Sequence, residues 1–237
     1  MKGLFVIGLV LLVFTATASA TTIGFVSDSS WEVFQGSGFI GNAQTVCLNA
    51  TAPVNCPAGA VLYGVVGGWG ANLTSIPDAH WIWAPGVSGN TSPIQLVGYS
   101  FVKSFTVNGT GPLTGSIKIA ADDFAQIFVN GNLVGSVGST TNFALATQKV
   151  SLTPFDISAS LQFGLNTIQI IAQNGIGAFA SCGETCSYSQ NPAGLVLGGS
   201  VSYSAVVAEV PEPGTISLFA AGMALLALGR YRHLRRQ

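Results

Sequence analysis

Between residues 21 and 209 helical periodicity is nearly absent, and that property narrows the fold more than any other. In its place short runs rich in Val, Ile, Phe, Thr and Tyr recur, cut apart by clusters of Gly, Asn, Pro and Ser. β-Branched and aromatic residues suit a pleated, half-buried surface, while Gly, Asn and Pro supply the backbone angles of tight turns. Strands are predicted over residues 23–26, 31–34, 61–66, 99–107, 114–121, 125–129, 148–152, 167–173 and 195–204. Several alternate in polarity. Ile117 and Ile119 share one face of their run and Lys118 points to the other. Phe101, Lys103 and Phe105 share a face, which places Lys103 near a strand edge or a sheet boundary. Asn130-Gly131, set between Ile127-Phe128-Val129 and Leu133-Val134, is a two-residue hairpin signal, because both positions tolerate positive φ. A short helical turn is predicted at residues 156–161 with Asp156 as its cap. Strands at this spacing predict an all-β domain, an antiparallel β-sandwich.

Charge removes whole classes of function. Only 7% of the residues are charged and the formal net charge is -1. A nucleic-acid binder needs a basic field to neutralise phosphates, and this chain has none. The 49% hydrophobic content is broken by polar and glycine positions, so several membrane spans are excluded. Of the 237 residues, 30 are glycine, about twice the usual share, as a turn-rich β domain requires.

The two ends read as addresses. Lys2, the apolar run of residues 3–14 and the small residues Ala18-Ser19-Ala20 form a secretory signal over residues 1–20, to be removed by signal peptidase. Its apolar run is about 12 residues, short of the roughly 20 a spanning helix needs. At the other end Val210-Pro211-Glu212-Pro213-Gly214 precedes an apolar stretch and then Arg230, Arg232, Arg235 and Arg236. A transmembrane helix is predicted over residues 214–229, with a basic tail at 230–237 held on the cytoplasmic side. As a helix its apolar stretch of about 15 residues is about 22 Å long, at the short limit for spanning. The order Pro211-Glu212-Pro213, apolar helix, arginine-rich end resembles the PEP-CTERM sorting signal of Gram-negative, exopolysaccharide-producing bacteria. The resemblance covers residues 210–237. It implies an exported protein, anchored in the inner membrane as a precursor and processed by an exosortase, with the mature form at the cell surface or released. Without both ends, residues 21–209 keep three basic and eight acidic residues. Such a sparse, mildly acidic surface suits an exported protein that avoids non-specific adhesion.

Four cysteines remain, Cys47, Cys56, Cys182 and Cys186. Export places them where disulfides persist, and of three pairings the local one, Cys47–Cys56 with Cys182–Cys186, is expected. Zinc is not expected, since the one histidine of the domain, His80, is not near them in sequence.

Three segments carry a second resemblance. They are residues 76–85, with Trp81-Ile82-Trp83; residues 101–106 and 119–131, with Ala121-Asp122-Asp123 and Val129-Asn130-Gly131; and residues 165–174 followed by Asn191-Pro192-Ala193-Gly194-Leu195. The series is similar to galactose-binding-like jelly-roll sandwiches found beside glycoside hydrolase catalytic domains, to sugar-binding modules of rhamnosidases, and to PA14-type domains. The resemblance covers residues 75–205. It implies a jelly roll and, through the PA14-type lectins, a calcium ion held by Asp122 and Asp123 that in turn holds a sugar. The same two aspartates also read as turn residues that accept backbone N–H groups. Trp69, Trp81 and Trp83, with Trp31 and Tyr188, are candidate sugar-stacking rings or else packing over the end of the sandwich. Trp69 stands out within the glycine-rich loop Gly67-Gly68-Trp69-Gly70.

No catalytic set emerges. Residues 21–209 hold one histidine, three lysines and no arginine, with no Gly-x-Ser-x-Gly elbow and no phosphate loop. The reading is a non-enzymatic cell-surface or extracellular-matrix protein. The alternative is a carbohydrate-binding module, calcium-dependent or not, that tethers exopolysaccharide, and a small hydrolase comes third.

Overall fold

The computed structural model describes residues 20–48, 56–64, 68–70, 73–91, 98–146, 151–175, 185–205 and 215–235. Two compact units divide the chain, and residues 20–205 form the larger. Among the described residues its strands are β1 (Ala20–Val26), β2 (Glu32–Gln35), β3 (Gly38–Asn42), β4 (Gln44–Cys47), β5 (Val61–Leu62), β6 (Ile82–Trp83) and β7 (Gly98–Val107). Then follow β8 (Gly109–Asp122), β9 (Phe124–Val129), β10 (Asn132–Gly138), β11 (Thr153–Asp156), β12 (Gly164–Gln173) and β13 (Gly194–Ala205). One sheet has seven strands in the order β11-β8-β13-β6-β4-β5, with β1 paired beside β13; the other has six, β10-β9-β12-β7-β2-β3. All pairs are antiparallel except β4 with β5. The all-β sandwich expected from the sequence is present.

The alternation of the strands builds the core. Ile117 and Ile119 from β8, Ile127 and Val129 from β9, Ile168 and Ile170 from β12, and Leu195 and Leu197 from β13 are all fully buried between the sheets. Each such side chain contributes roughly 1.5–3 kcal/mol of transfer free energy. The Asn130-Gly131 turn joins β9 to β10 at φ 52 and 80, as predicted. The Asn130 amide donates to the Ser160 carbonyl and to Asn166 Oδ1, and its oxygen accepts from the Thr167 amide, which ties the hairpin to β12.

Some elements differ from expectation. The strand predicted at residues 148–152 is not there in its described part; β11 begins only at Thr153 and contains Pro154. A proline in a strand is tolerated here because β11 is an edge, where a missing N–H breaks no ladder on its outer side. Of the strand predicted over 61–66, the described residues 61–64 form strand only at Val61–Leu62. The turn at 156–161 is a 3-10 turn over Ser158–Ser160, with Ile157 at the cap position and no side-chain cap bond. Asp156 Oδ1 instead accepts the Ser158 amide at 2.8 Å, one residue further in.

In the second unit a helix runs over Thr215–Leu234, through Arg230 and Arg232, which the sequence reading places beyond its end. Arginine is a good helix former, so nothing stops the helix at Gly229. No helix among the described residues is long and apolar enough to cross a membrane. The expected span at 214–229 is therefore not confirmed: about 15 apolar residues precede Arg230 and Arg232 within one helix. The expected signal helix at 1–20, and Pro211, Glu212, Pro213 and Arg236, lie outside the described residues, apart from Ala20, which opens β1.

Candidate functional site

Asp122 closes β8 in the seven-stranded sheet, and Phe124 opens β9 in the six-stranded sheet. Asp123 is thus the corner where the chain changes sheets. Its backbone is held from both sides: the Ser139 amide donates to the Asp123 carbonyl at 2.9 Å, and the Asp123 amide points to the Gln173 carbonyl at 3.4 Å. Both side chains are buried, Asp122 to 1% exposure and Asp123 to 2%. A buried carboxylate is tolerable only when donors replace its water. Asp122 Oδ2 accepts the Trp69 indole N–H at 2.7 Å, and Asp123 Oδ2 accepts the Gly175 amide at 2.8 Å.

Beside this corner the aromatic side chains form a continuous pile. Trp69 stacks on Trp81 with centroids 4.3 Å apart and meets Tyr63 edge-on at 6.1 Å. Tyr63 stacks on Tyr188 at 5.2 Å, and the Tyr188 hydroxyl accepts the Trp83 indole N–H at 2.9 Å. Trp83 then meets Tyr99 and Phe101. Burial pushes the phenols of Tyr63, Tyr188 and Tyr99 above their usual range, and for Tyr63 the charges of Tyr188 and Asp122 add to it. These phenols stay neutral at any physiological pH; the Tyr188 hydroxyl accepts from Trp83, whereas the buried Tyr63 hydroxyl has no partner among the described residues.

The structure therefore brings Asp122, Trp69, Trp81 and Trp83 together, but as packing. Trp31 and Trp83 have no exposed surface, Trp81 has 5% and Tyr188 has 2%. The Trp31 indole donates to the Val26 carbonyl. Trp69 is half-buried, with a face on Trp81. The rings that the sequence offered as sugar platforms are turned toward one another. Each aspartate carboxylate takes an N–H from a different segment, Asp122 from Trp69 and Asp123 from Gly175. Among the described residues no group of three or more His, Cys, Asp and Glu side chains is placed to hold a metal ion. Asn130 sits at the opposite end of β9, whereas Asn174 is fully buried at the corner with its side-chain oxygen unpartnered among the described residues.

The corner also holds residues that the sequence reading did not single out. Tyr63 bridges Trp69 and Tyr188. Asn191, read as a turn residue, donates to the Gly175 carbonyl, and its own carbonyl accepts the Asn174 amide. Their signal was the Asn174-Gly175 and Asn191-Pro192 pairs flanking two strands, each of which feeds the corner. His80 is held by its backbone: its amide donates to the Ser27 carbonyl and its carbonyl accepts the Ser27 hydroxyl. Cys47 and Cys56 are joined, with Cα atoms 5.6 Å apart. Cys186 is disulfide-bonded and fully buried. Its expected partner Cys182 lies outside the described residues.

Comparison with known sequences gives one match. Residues 209–236 are a PEP-CTERM protein-sorting motif. No curated protein matches the chain. Solved structures superpose with low scores. They include an FMN-binding β-glucuronidase from Facaelibacterium prausnitzii L2-6 (15% identity, TM-score 0.35, 77% of this chain and 23% of that one). Another is a β-D-glucuronidase of Dictyoglomus thermophilum (15%, 0.36, 81% and 29%). A third is a Streptomyces avermitilis α-L-rhamnosidase complexed with L-rhamnose (19%, 0.35, 56% and 13%). The chain spans 13–29% of the length of these three proteins, and overlaps of this quality carry no argument about its chemistry.

Proposed function

We propose that this chain is a non-enzymatic protein of the cell surface or extracellular matrix, exported and then sorted by removal of its C-terminal tail. The sorting motif at residues 209–236 carries this reading. On it, an exosortase cleaves near Pro211-Glu212-Pro213, the helix that follows serves as a transient inner-membrane anchor, and signal peptidase removes residues 1–20. The sandwich supports the reading indirectly. Asp122 and Asp123, carboxylates a hydrolase would draw on, each accept a hydrogen bond that helps hold the fold. Intact-mass measurement of the exported protein tests it: the expected species begins near Thr21 and ends near residue 210. Recovery of an exported chain that still carries Arg230 to Arg236 would overturn it.

A second reading, a module that tethers exopolysaccharide, is favoured by one observation. An open depression over the seven-stranded sheet is lined by Ser75, Ser116, Ser200 and Lys118 together with Ile76 and Pro77. Calcium has no part in this version, because the site lies away from Asp122 and Asp123.

A further inference from the structure

Strand register sets side chains in rows across the outer face of the seven-stranded sheet. Opposite residues of an antiparallel pair share a face, so one row reads Asp156–Ser116–Ser200–Gly24 across β11, β8, β13 and β1. The next reads Pro154–Lys118–Gly198–Val26. A third joins Thr114, Ser202 and Thr22, where Thr22 Oγ1 and Ser202 Oγ lie 3.0 Å apart. Glycine and serine keep this face low, and strands about 4.8 Å apart repeat the hydroxyls at a regular interval.

Three depressions lie on this face, of about 580, 480 and 340 Å³. They share walls. Lys118 and Ser75 belong to the first and third, Ser116 and Ser200 to the first and second, and Pro154 to the second and third. Together they form one open groove with Lys118 at its centre. Among the described residues no hydrogen bond or ion pair holds the Lys118 ammonium. Lys103 lines the same groove, its amine near the Ser30 hydroxyl. Two of the three lysines in residues 21–209 thus line the first depression, Lys118 from β8 and Lys103 from β7 of the other sheet. Asp28 and Asp78 stand along one side and Asp156 along the other, and Asp28 and Asp156 each accept a nearby backbone amide.

A long, shallow groove fits a polymer strand better than a small molecule, which needs a concave pocket around most of its surface. Tryptophan is absent from the lining, and its aromatic residues Phe25 and Phe155 share the core-facing row of Ile117, so recognition there falls to hydrogen bonds and charge rather than to ring stacking. Serine hydroxyls and carboxylates match ring hydroxyls. An unengaged ammonium matches a carboxylate, which gives a stronger hydrogen bond than a neutral acceptor. The aspartates alongside weaken the binding of a polyanion by like-charge repulsion, so retention of an acidic strand must come from its contact with Lys118.

We propose that this groove binds a strand of uronic-acid-containing polysaccharide, with Lys118 receiving a sugar carboxylate and Ser116 and Ser200 meeting ring hydroxyls. The proposal rests on the second reading above, that the exported domain is a carbohydrate-binding module. Its test uses the full chain in detergent and three probes: alginate, carboxyl-reduced alginate and dextran, each immobilised for binding measurements. Alginate should be retained, with at least tenfold weaker binding after carboxyl reduction and after Lys118→Ala or Lys118→Gln. Trp69→Phe, at the aromatic corner, should leave alginate binding unchanged, and a melting curve on each variant reports folding separately. Equal binding of all three probes, with Lys118→Ala silent, would overturn the acidic specificity and leave a neutral-glycan module standing. Alginate binding lost in Trp69→Phe but kept in Lys118→Ala would overturn the groove as the site. No retention of any probe by a cooperatively melting chain would overturn the carbohydrate reading itself.

Discussion

The corner at Asp122–Asp123 and the groove around Lys118 use the same scarce resource, charge, in opposite ways. At the corner two carboxylates are buried and given donors from Trp69 and Gly175. On the outer face Lys118, among serines and glycines, has no partner among the described residues. The corner resembled a ligand site in sequence because two acids and three tryptophans fall in neighbouring segments. Folded, those groups satisfy one another, and a group already satisfied has little left to offer a ligand. In a chain with so few charges, the informative residue is the one whose polar group the fold leaves unspent.

That contrast can be broken most forcefully at Gly138. It sits at φ +73, and a Cβ there would lie 1.8 Å from the Asp123 carbonyl oxygen. Gly138→Ala should destabilise the sandwich by about 3 kcal/mol or more, read from chemical denaturation. An unchanged midpoint would mean that the corner is not the rigid post described here. Trp69→Phe comes next. It keeps most of the ring packing but removes the N–H that Asp122 accepts, which should cost about 1–3 kcal/mol. A loss of that size in thermal melts, with sugar binding intact, would mark the corner as structural; a neutral melt would reopen it as a site. Lys118→Ala should change stability by no more than about 0.5 kcal/mol, because a surface residue without partners holds nothing together. A large destabilisation would remove the distinction between the two regions.

The smallest effect concerns Asp156 at the groove margin. Hydrogen bonds from Ser158 hold its carboxyl below the ordinary carboxylate range. A depressed folded-state value means that its contribution is present above the unfolded value and is lost as pH falls through the folded one. Melting temperature followed downward from about pH 5 should therefore fall slightly less in Asp156→Asn than in the parent chain. A steeper acid-side fall in the variant would contradict the Ser158 contacts.

Much of this molecule was legible in its residues. The alternation in residues 116–120 put Ile117 and Ile119 in the core and Lys118 outside, because period two is a local property of an extended chain. Asn130-Gly131 marked its turn because only a few residue types accept positive φ at both positions. Pro154 hid an edge strand, since whether a missing N–H matters depends on which side of a sheet the strand lies. The corner was half legible. Asp122, Trp69 and Trp81 were singled out, whereas Tyr63, which joins the pile between them, has no local signal.

The sequence by itself determined the destination of the chain and the class of its fold. Sorting motifs are read as linear order, and strand alternation repeats every two residues, so neither needs a distant contact. The tertiary structure alone decided which polar groups are spent. Asp122 finds Trp69 across 53 residues, and Ser116 and Ser200 become neighbours through the pairing of β8 with β13. Partnering and burial are set by which strands lie side by side, and that is a property of the folded sheets rather than of any segment.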